Sequence, residues 1–171
     1  FVGLFWKLET TWPNPAIEDS LKYIADKGLI PFVEISTDDE ARFERFADNP
    51  GAGDIDGLVE TVKRWLDQNP GSRIIINPFP EANLPEHPWG GDPNRYKKAI
   101  GRVHELFRQA GIGPDKARFV FGMNGVGPFA GPGYSDYYPG DDVVDLIGFA
   151  KLNRGGDSWR DYQETFATHI S

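Results

Sequence analysis

The sequence contains no cysteine, which excludes disulfide bonds and metal sites built on thiolates. It also lacks an apolar run near the roughly 20 residues that cross a bilayer, and no signal-peptide pattern is visible. Basic residues are in the minority, with 18 Lys and Arg against 26 Asp and Glu, so we expect no nucleic-acid partner and no membrane insertion. The three histidines are scattered, and we expect no metal site and no cofactor.

What the sequence does contain is a regular alternation of predicted strands and helices. An amphipathic helix begins at Asp92-Pro93 and ends at Gly111, and a short helix is expected near residues 42–46 inside a long loop. A final helix is expected from Trp159 to Phe166. Apolar runs between turn signals predict strands at 2–8, 30–36, 73–79, 118–122 and 143–149. This order predicts an α/β protein with a parallel sheet, in a single domain over residues 1–171.

Two parallel architectures fit this order of elements. An open doubly wound sheet usually binds a nucleotide at a glycine-rich first turn, but here that turn reads Thr10-Thr11-Trp12-Pro13. A closed (β/α)8 barrel of the TIM type carries its chemistry on the loops that follow the strands, which in this chain are long and rich in Trp, Asn and Pro. The pattern favours the barrel. Because a whole barrel needs about 250 residues, the five predicted strands indicate an incomplete one.

The third predicted strand ends in a carboxylate beside an amide, in the run from Asn77 to Asn83. Glycoside hydrolysis needs one carboxylic acid to protonate the leaving oxygen and a second carboxylate as nucleophile or base. Such an acid keeps its proton more readily beside apolar groups, and Glu81 follows Phe79 and Pro80. Glu81 is therefore the candidate catalytic residue. The plainer interpretation is a loop glutamate that faces solvent.

Three segments resemble glycoside hydrolase family 26, whose members are mostly endo-β-mannanases. Asn77 to Asn83, with Trp89-Gly90-Gly91 after it, resembles the family's Arg-Pro-Phe-His-Glu-Met-Asn-Gly strand end and its Trp-Gly-Gly-like turn. Residues 119–124 are similar to a Val-Trp-Ser-Pro-Asn strand. Residues 137–148 read Tyr-Tyr-Pro-Gly-Asp-Asp-Val-Val-Asp-Leu-Ile-Gly and are close to Tyr-Tyr-Pro-Gly-Asp-Asp-Tyr-Val-Asp-Trp-Ile-Gly. The resemblance covers residues 73–150 well and the first 70 in general layout.

The resemblance implies a barrel of which about strands two to six are present, with Glu81 as general acid/base. It implies retaining hydrolysis of a β-linked polysaccharide, above all β-1,4-mannan, by an extracellular or cell-surface enzyme. The family's nucleophile is a Glu after the seventh strand. The chain reaches Ser171 in the helix after the sixth, so we expect that strand to be missing here.

The sequence departs from the family pattern around Glu81. The family's Arg is replaced by Asn77 and its Met by Ala82, and Leu84 stands in place of its Gly. Pro80 replaces the His before the acid/base, which removes a polar partner. These changes indicate a substrate other than plain mannan, or a site that has decayed.

Other side chains are candidates for supporting roles. Glu34 and Glu9 are possible second carboxylates, although each also fits a structural role. Asp145 is expected to be structural. Side chains expected to contact a sugar or position Glu81 are Asn83, Trp89, Asn124, Tyr137, Tyr138 and Trp12.

Two other function classes stay open at this point. One is a non-catalytic carbohydrate-binding or structural domain derived from a barrel hydrolase. The other is a barrel enzyme of different chemistry that uses Glu81 as a proton-transfer base on small molecules.

Overall fold

The computed structural model describes residues 1–49, 51, 53–125, 132–151 and 160–165. Within these residues, five parallel strands form one sheet in chain order: β1 (Val2–Lys7), β2 (Pro31–Ser36), β3 (Ile74–Pro78), β4 (Ala117–Asn124) and β5 (Leu146–Ala150). The helices are α1 (Pro15–Asp26), α2 (Glu40–Asp48), α3 (Asp56–Gln68), α4 (Pro93–Gln109) and the short α5 (Tyr134–Tyr137). Each strand pairs in parallel with the next strand along the chain, which confirms the predicted α/β fold as part of a (β/α) barrel.

The helices α1 and α4 begin where the sequence places capping residues. The side chain of Asp92 accepts hydrogen bonds from the backbone N–H groups of Asn94 and Arg95, and Pro93 occupies the first helical position of α4. Asn14 caps α1 in the same way. Each of these helices buries one apolar stripe against the sheet, which is where most of its stability comes from.

Alternation along the strands divides the sheet into two faces. On β2, Val33 and Ile35 are buried under the helices, while Phe32, Glu34 and Ser36 point to the opposite face. The helix-covered face holds the core. The opposite face is the inner face of the partial barrel, and it lines a cleft.

Three predicted boundaries differ from the structure. The expected short helix near residues 42–46 is the nine-residue α2, because Asp39 caps it and Phe43 and Phe46 anchor it in the core. The expected strand at 143–149 begins only at Leu146, because residues 140–144 form a turn closed by bonds to the carbonyl of Gly140. The stretch expected as a loop after β4 contains α5.

Two further expectations concern the last part of the chain. Asp145 is structural, as expected: it accepts from the guanidinium of Arg118 at 2.5 Å and from the backbone N–H of Phe119 at 2.8 Å. Of the expected last helix, residues 162–165 are helical, whereas Trp159 and Phe166 lie outside the described residues. In the ranges that the structure describes, no helix is long and apolar enough to cross a membrane.

Candidate active site

The inner face of the sheet lines a cleft of about 1200 Å³. Its floor comes from the strands, and its rim comes from the loops after β2 and β3. Five carboxylates line it, and no Lys or Arg does so among the residues that the structure describes: Glu34, Asp38, Glu40, Glu81 and Glu86. The cleft is therefore acidic. In the same described part of the chain, no three His, Asp or Glu side chains converge on a possible metal position.

The backbone that presents Glu81 is strained. Phe79 and Glu81 have φ angles of 53° and 58°, a left-handed conformation that non-glycine residues rarely adopt. Hydrogen bonds hold this turn in place: the N–H of Phe79 donates to the carbonyl of Ile35 on β2 at 2.7 Å, and the N–H of Glu81 donates to that of Gly122 on β4 at 2.8 Å. Such strain persists only where the surroundings enforce it, and it concentrates at functional sites.

Two side chains hold the carboxylate of Glu81. Asn124 at the end of β4 donates from Nδ2 to Oε1 at 2.6 Å, and the Nε2 of His87 lies 3.5 Å from Oε2. The Glu81 side chain is 29% exposed, so it remains open to the cleft. The arrangement places a carboxyl group of defined orientation where a ligand can reach it.

Asn83 is hydrogen-bonded to the backbone of Asn124. Its Nδ2 donates to the backbone carbonyl of Asn124 at 3.0 Å, and its Oδ1 accepts from the backbone N–H of Asn124 at 2.7 Å. This reciprocal pair ties the loop after β3 to the end of β4. Asn124 therefore contacts the carboxylate of Glu81 directly, whereas Asn83 is linked to it through the backbone of Asn124.

His87 was not singled out from the sequence. It reaches Glu81 because consecutive turns fold the following loop back, through bonds from Leu84 N–H to the Glu81 carbonyl and from His87 N–H to the Leu84 carbonyl. Gly90 completes the loop at a contact so close that a Cβ there would overlap the Leu84 carbonyl. The Trp-Gly-Gly turn was the available signal, because a glycine can mark a close approach of two backbone segments.

Trp89 packs against the residues that surround Glu81. It was expected to stack on a sugar ring, but the structure leaves it only 3% exposed. One face of its indole is stacked on His87, with centroids 4.8 Å apart, and the ring also packs against Phe79. Its Nε1 donates to the carbonyl of Pro80 at 2.8 Å. Trp89 therefore fixes His87 and the turn before Glu81.

Of the two possible second carboxylates, only Glu34 shares the cleft with Glu81. The Nδ2 of Asn77 donates to its Oε1 at 3.0 Å. Burial raises the pKa of Glu34; the hydrogen bond from Asn77 opposes this rise, and the charge of Glu81 adds to it. Glu9 instead accepts from the hydroxyl of Thr37 and lines a separate pocket.

Three predicted sugar contacts also lie outside the cleft. Trp12 lines the pocket of Glu9, where its ring lies against Gly57. Tyr137 is 1% exposed, because its hydroxyl donates to the carbonyl of Gly90 in the core. Tyr138 donates to Asp141 and packs against the ring of Phe121. The contacts of both tyrosines are therefore within the protein: Tyr137 packs on the loop of Gly90, and Tyr138 packs on β4.

Comparison with known proteins identifies the fold. No protein-family model and no curated protein sequence matches the chain. A β-mannanase from a symbiotic protist of the termite Reticulitermes speratus, solved with gluco-manno-oligosaccharide, superposes with a TM-score of 0.66 at 18% identity, over 97% of this chain and 58% of that one. The GH26 β-mannanase of Bacteroides ovatus gives 0.62 at 11% identity, over 86% and 50% of the two chains.

An endo-β-1,4-mannanase of Cellulomonas fimi gives a TM-score of 0.63 at 19% identity, over 88% of this chain and 41% of that one. The chain thus spans about half the length of the solved structures that it matches. The resemblance to glycoside hydrolase family 26 that the motifs predicted is confirmed at the level of the fold, as is the incomplete barrel.

Proposed function

We propose that this chain contributes the general acid/base of a glycoside hydrolase that cleaves β-linked polysaccharide, with β-1,4-mannan as the leading substrate. The observation that supports this most is the carboxyl group of Glu81, held between Asn124 and His87 at the carboxyl end of β3. In barrels of this type the chemistry lies at that end of the strands. The fold shared with β-mannanases adds to the argument.

In the proposed reaction, Glu81 donates its proton to the glycosidic oxygen as the bond from that oxygen to the anomeric carbon breaks and the second carboxylate bonds to that carbon. In the second half, the Glu81 carboxylate removes a proton from a water molecule, whose oxygen bonds to the anomeric carbon as the bond from that carbon to the second carboxylate breaks. Asn124 and His87 hold the carboxyl group in one orientation through both steps. Such placement is what makes proton transfer efficient.

A retaining mechanism also needs a second carboxylate about 5–5.5 Å from the first. By resemblance to the family, this group follows a seventh strand, beyond the five strands described here. The cleft offers Glu34 as an internal candidate. We further propose that the protein acts outside the cell or on its surface, because a polysaccharide is too large to enter one.

The test is the release of reducing ends from β-mannans and β-glucans by the unmodified chain and by Glu81→Gln. With the second carboxylate in place, we expect turnover and a loss of about 10²–10⁴-fold in the variant, the usual contribution of general acid–base catalysis. The matched control is Glu105→Gln, an exposed carboxylate on α4, which should retain full activity. Equal rates for the chain and Glu81→Gln would refute the assignment.

A non-catalytic carbohydrate-binding domain is the second candidate. The observation that favours it is the set of five strands in the described residues, which are fewer than a complete barrel has. It predicts glycan binding without turnover, and a Glu81→Gln variant that changes affinity alone. The same assay, combined with calorimetric titration of mannotetraose, separates the two functions.

A further inference from the structure

The inner face of the sheet carries a polar pair beside Glu81. Glu34 on β2 and Asn77 on β3 are register partners, and the Nδ2 of Asn77 donates to the Oε1 of Glu34 at 3.0 Å. Both side chains line the cleft from the strands themselves, whereas Glu81 projects from the loop above. A carboxylate and an amide on the floor of a sheet face require an explanation, because burying them costs free energy.

The burial of Asn77 is a second feature of the pair that requires an explanation. This residue is only 5% exposed, and its Oδ1 has no hydrogen-bond partner in the part of the chain that the structure describes. A buried acceptor without a partner costs about 1–3 kcal/mol, and each such atom in a folded protein requires an explanation. The pair is therefore poorly explained as a structural device alone.

The surroundings of the pair have the shape of a ligand site. On one side, Gly122 on β4 and Gly148 on β5 are register partners that line the cleft without side chains, and the amide of Asn77 lies over Gly122. A Cβ at Gly122 would lie 2.5 Å from the Oδ1 of Asn77. On the other side, Phe5 on β1 is the register partner of Glu34 and presents a ring that is 71% exposed.

We propose that Glu34 and Asn77, with Phe5, form a hydroxyl-binding subsite for a neutral sugar ring next to the bond that Glu81 cleaves, an inference that rests on the proposed function. A carboxylate accepts hydrogen bonds from two adjacent hydroxyl groups at once, and an exposed aromatic ring packs against the C–H face of a pyranose. Gly122 leaves room for the amide of Asn77, which a larger residue at that position would displace.

The charge of the cleft defines the substrate class further. Five carboxylates and no Lys or Arg line it within the described residues, so a polyanionic glycan would meet a net negative charge. The subsite therefore selects neutral sugars over uronic acids. Glu34 here binds substrate and does not attack it, which separates this role from that of a nucleophile.

The experiment is calorimetric titration of mannotetraose and of β-1,4-linked tetramannuronate, which differs by a carboxylate at each C6. Glu81→Gln serves as the parent, so that no turnover interferes. We expect the parent to bind mannotetraose and not the uronate. Added to this parent, Glu34→Ala should weaken binding of mannotetraose at least tenfold. Phe5→Ala should weaken it several-fold, and this change leaves the core intact because the ring is exposed.

Two matched controls are an acid and an aromatic ring outside the cleft. Glu105→Ala on α4 and Tyr23→Ala on α1 should leave the affinity unchanged. Unchanged affinity in Glu34→Ala would overturn the subsite while leaving the proposed function intact. Absence of any glycan binding by the parent would overturn both. Rescue of hydrolysis by azide in a Glu34→Ala chain that retains Glu81 would identify Glu34 as the nucleophile and refute the binding role.

Discussion

The imidazole of His87 lies 3.5 Å from the carboxylate of Glu81, although six positions separate the two residues and Pro80 precedes the glutamate. In the family that the motifs resemble, a histidine stands directly before the acid/base. Here the imidazole comes from the loop that follows, and stacking on Trp89 holds it there. Glu81 therefore has an imidazole beside it, although the residue before it is proline.

The first prediction is that His87→Ala lowers glycan hydrolysis about tenfold, equivalent to about 1.4 kcal/mol of transition-state stabilisation. The carboxylate loses its contact at Oε2 and keeps only Asn124 at Oε1. Steady-state rates should show the loss mainly in kcat, because the contact orients the proposed acid/base. His104→Gln on α4 is the control, and an equal loss there would contradict the assignment.

Gly90→Ala and Gly91→Ala should differ strongly in their effect on the free energy of unfolding. We expect Gly90→Ala to lower the free energy of unfolding by about 3 kcal/mol, because its Cβ would overlap the Leu84 carbonyl and push the loop away from Glu81. Gly91→Ala should change it by less than about 0.5 kcal/mol, since nothing lies within 4 Å of that Cβ. Urea unfolding measures both, and similar losses would mean that the loop packs differently.

The left-handed backbone at Glu81 should make glycine the more stable residue at this position. At a φ of 58°, glycine is favoured over alanine, so Glu81→Gly should unfold with a free energy about 1 kcal/mol higher than Glu81→Ala. At Glu105, inside α4, the order should reverse, with alanine better by about 1 kcal/mol. Thermal or urea unfolding of the four variants gives the comparison. The same order at both positions would rule out the left-handed turn.

The last prediction concerns pH. Burial raises the pKa of Glu34 above its ordinary value of 4.5, so the folded protein binds that proton more tightly than the unfolded chain does. The stability that the protonated carboxyl group contributes is fully present below its ordinary pKa. It is lost as the pH rises through the raised pKa of the folded protein. Glu34→Gln should therefore gain stability relative to the unmodified chain between about pH 4 and pH 7.

Urea unfolding at the two pH values measures this change. For the control Glu105→Gln, the difference in free energy of unfolding from the unmodified chain should be the same at both pH values. A difference between Glu34→Gln and the unmodified chain that is independent of pH would contradict the raised pKa.

Much of the fold could be predicted because its signals are local. Asn14-Pro15 and Asp92-Pro93 mark helix starts by chemistry that the structure reproduces. The start of β5 could not be predicted, because Val143 and Val144 have the side chains of a strand while hydrogen bonds to Gly140 hold them in a turn.

The candidate site could likewise be predicted only in part. A carboxylate at a strand end is visible in the sequence, and so is the asparagine two residues later. The contact with His87 depends on turns that Gly90 makes possible, and the burial of Trp89 depends on packing against Phe79. Neither follows from spacing, because side-chain directions in a loop are decided by tertiary contacts.

The asparagine pair that holds the site also determines when the site can form during folding. Asn83 and Asn124 are 41 positions apart, and Glu81 and Asn124 are 43 apart. Contacts of such separation require closure of a long loop, whereas α4, which lies between them, forms from local contacts. In a refolding time course, helical circular dichroism should therefore return first. Glycan affinity should return only after β4 has docked beside β3, so a bound sugar would report that this step is complete.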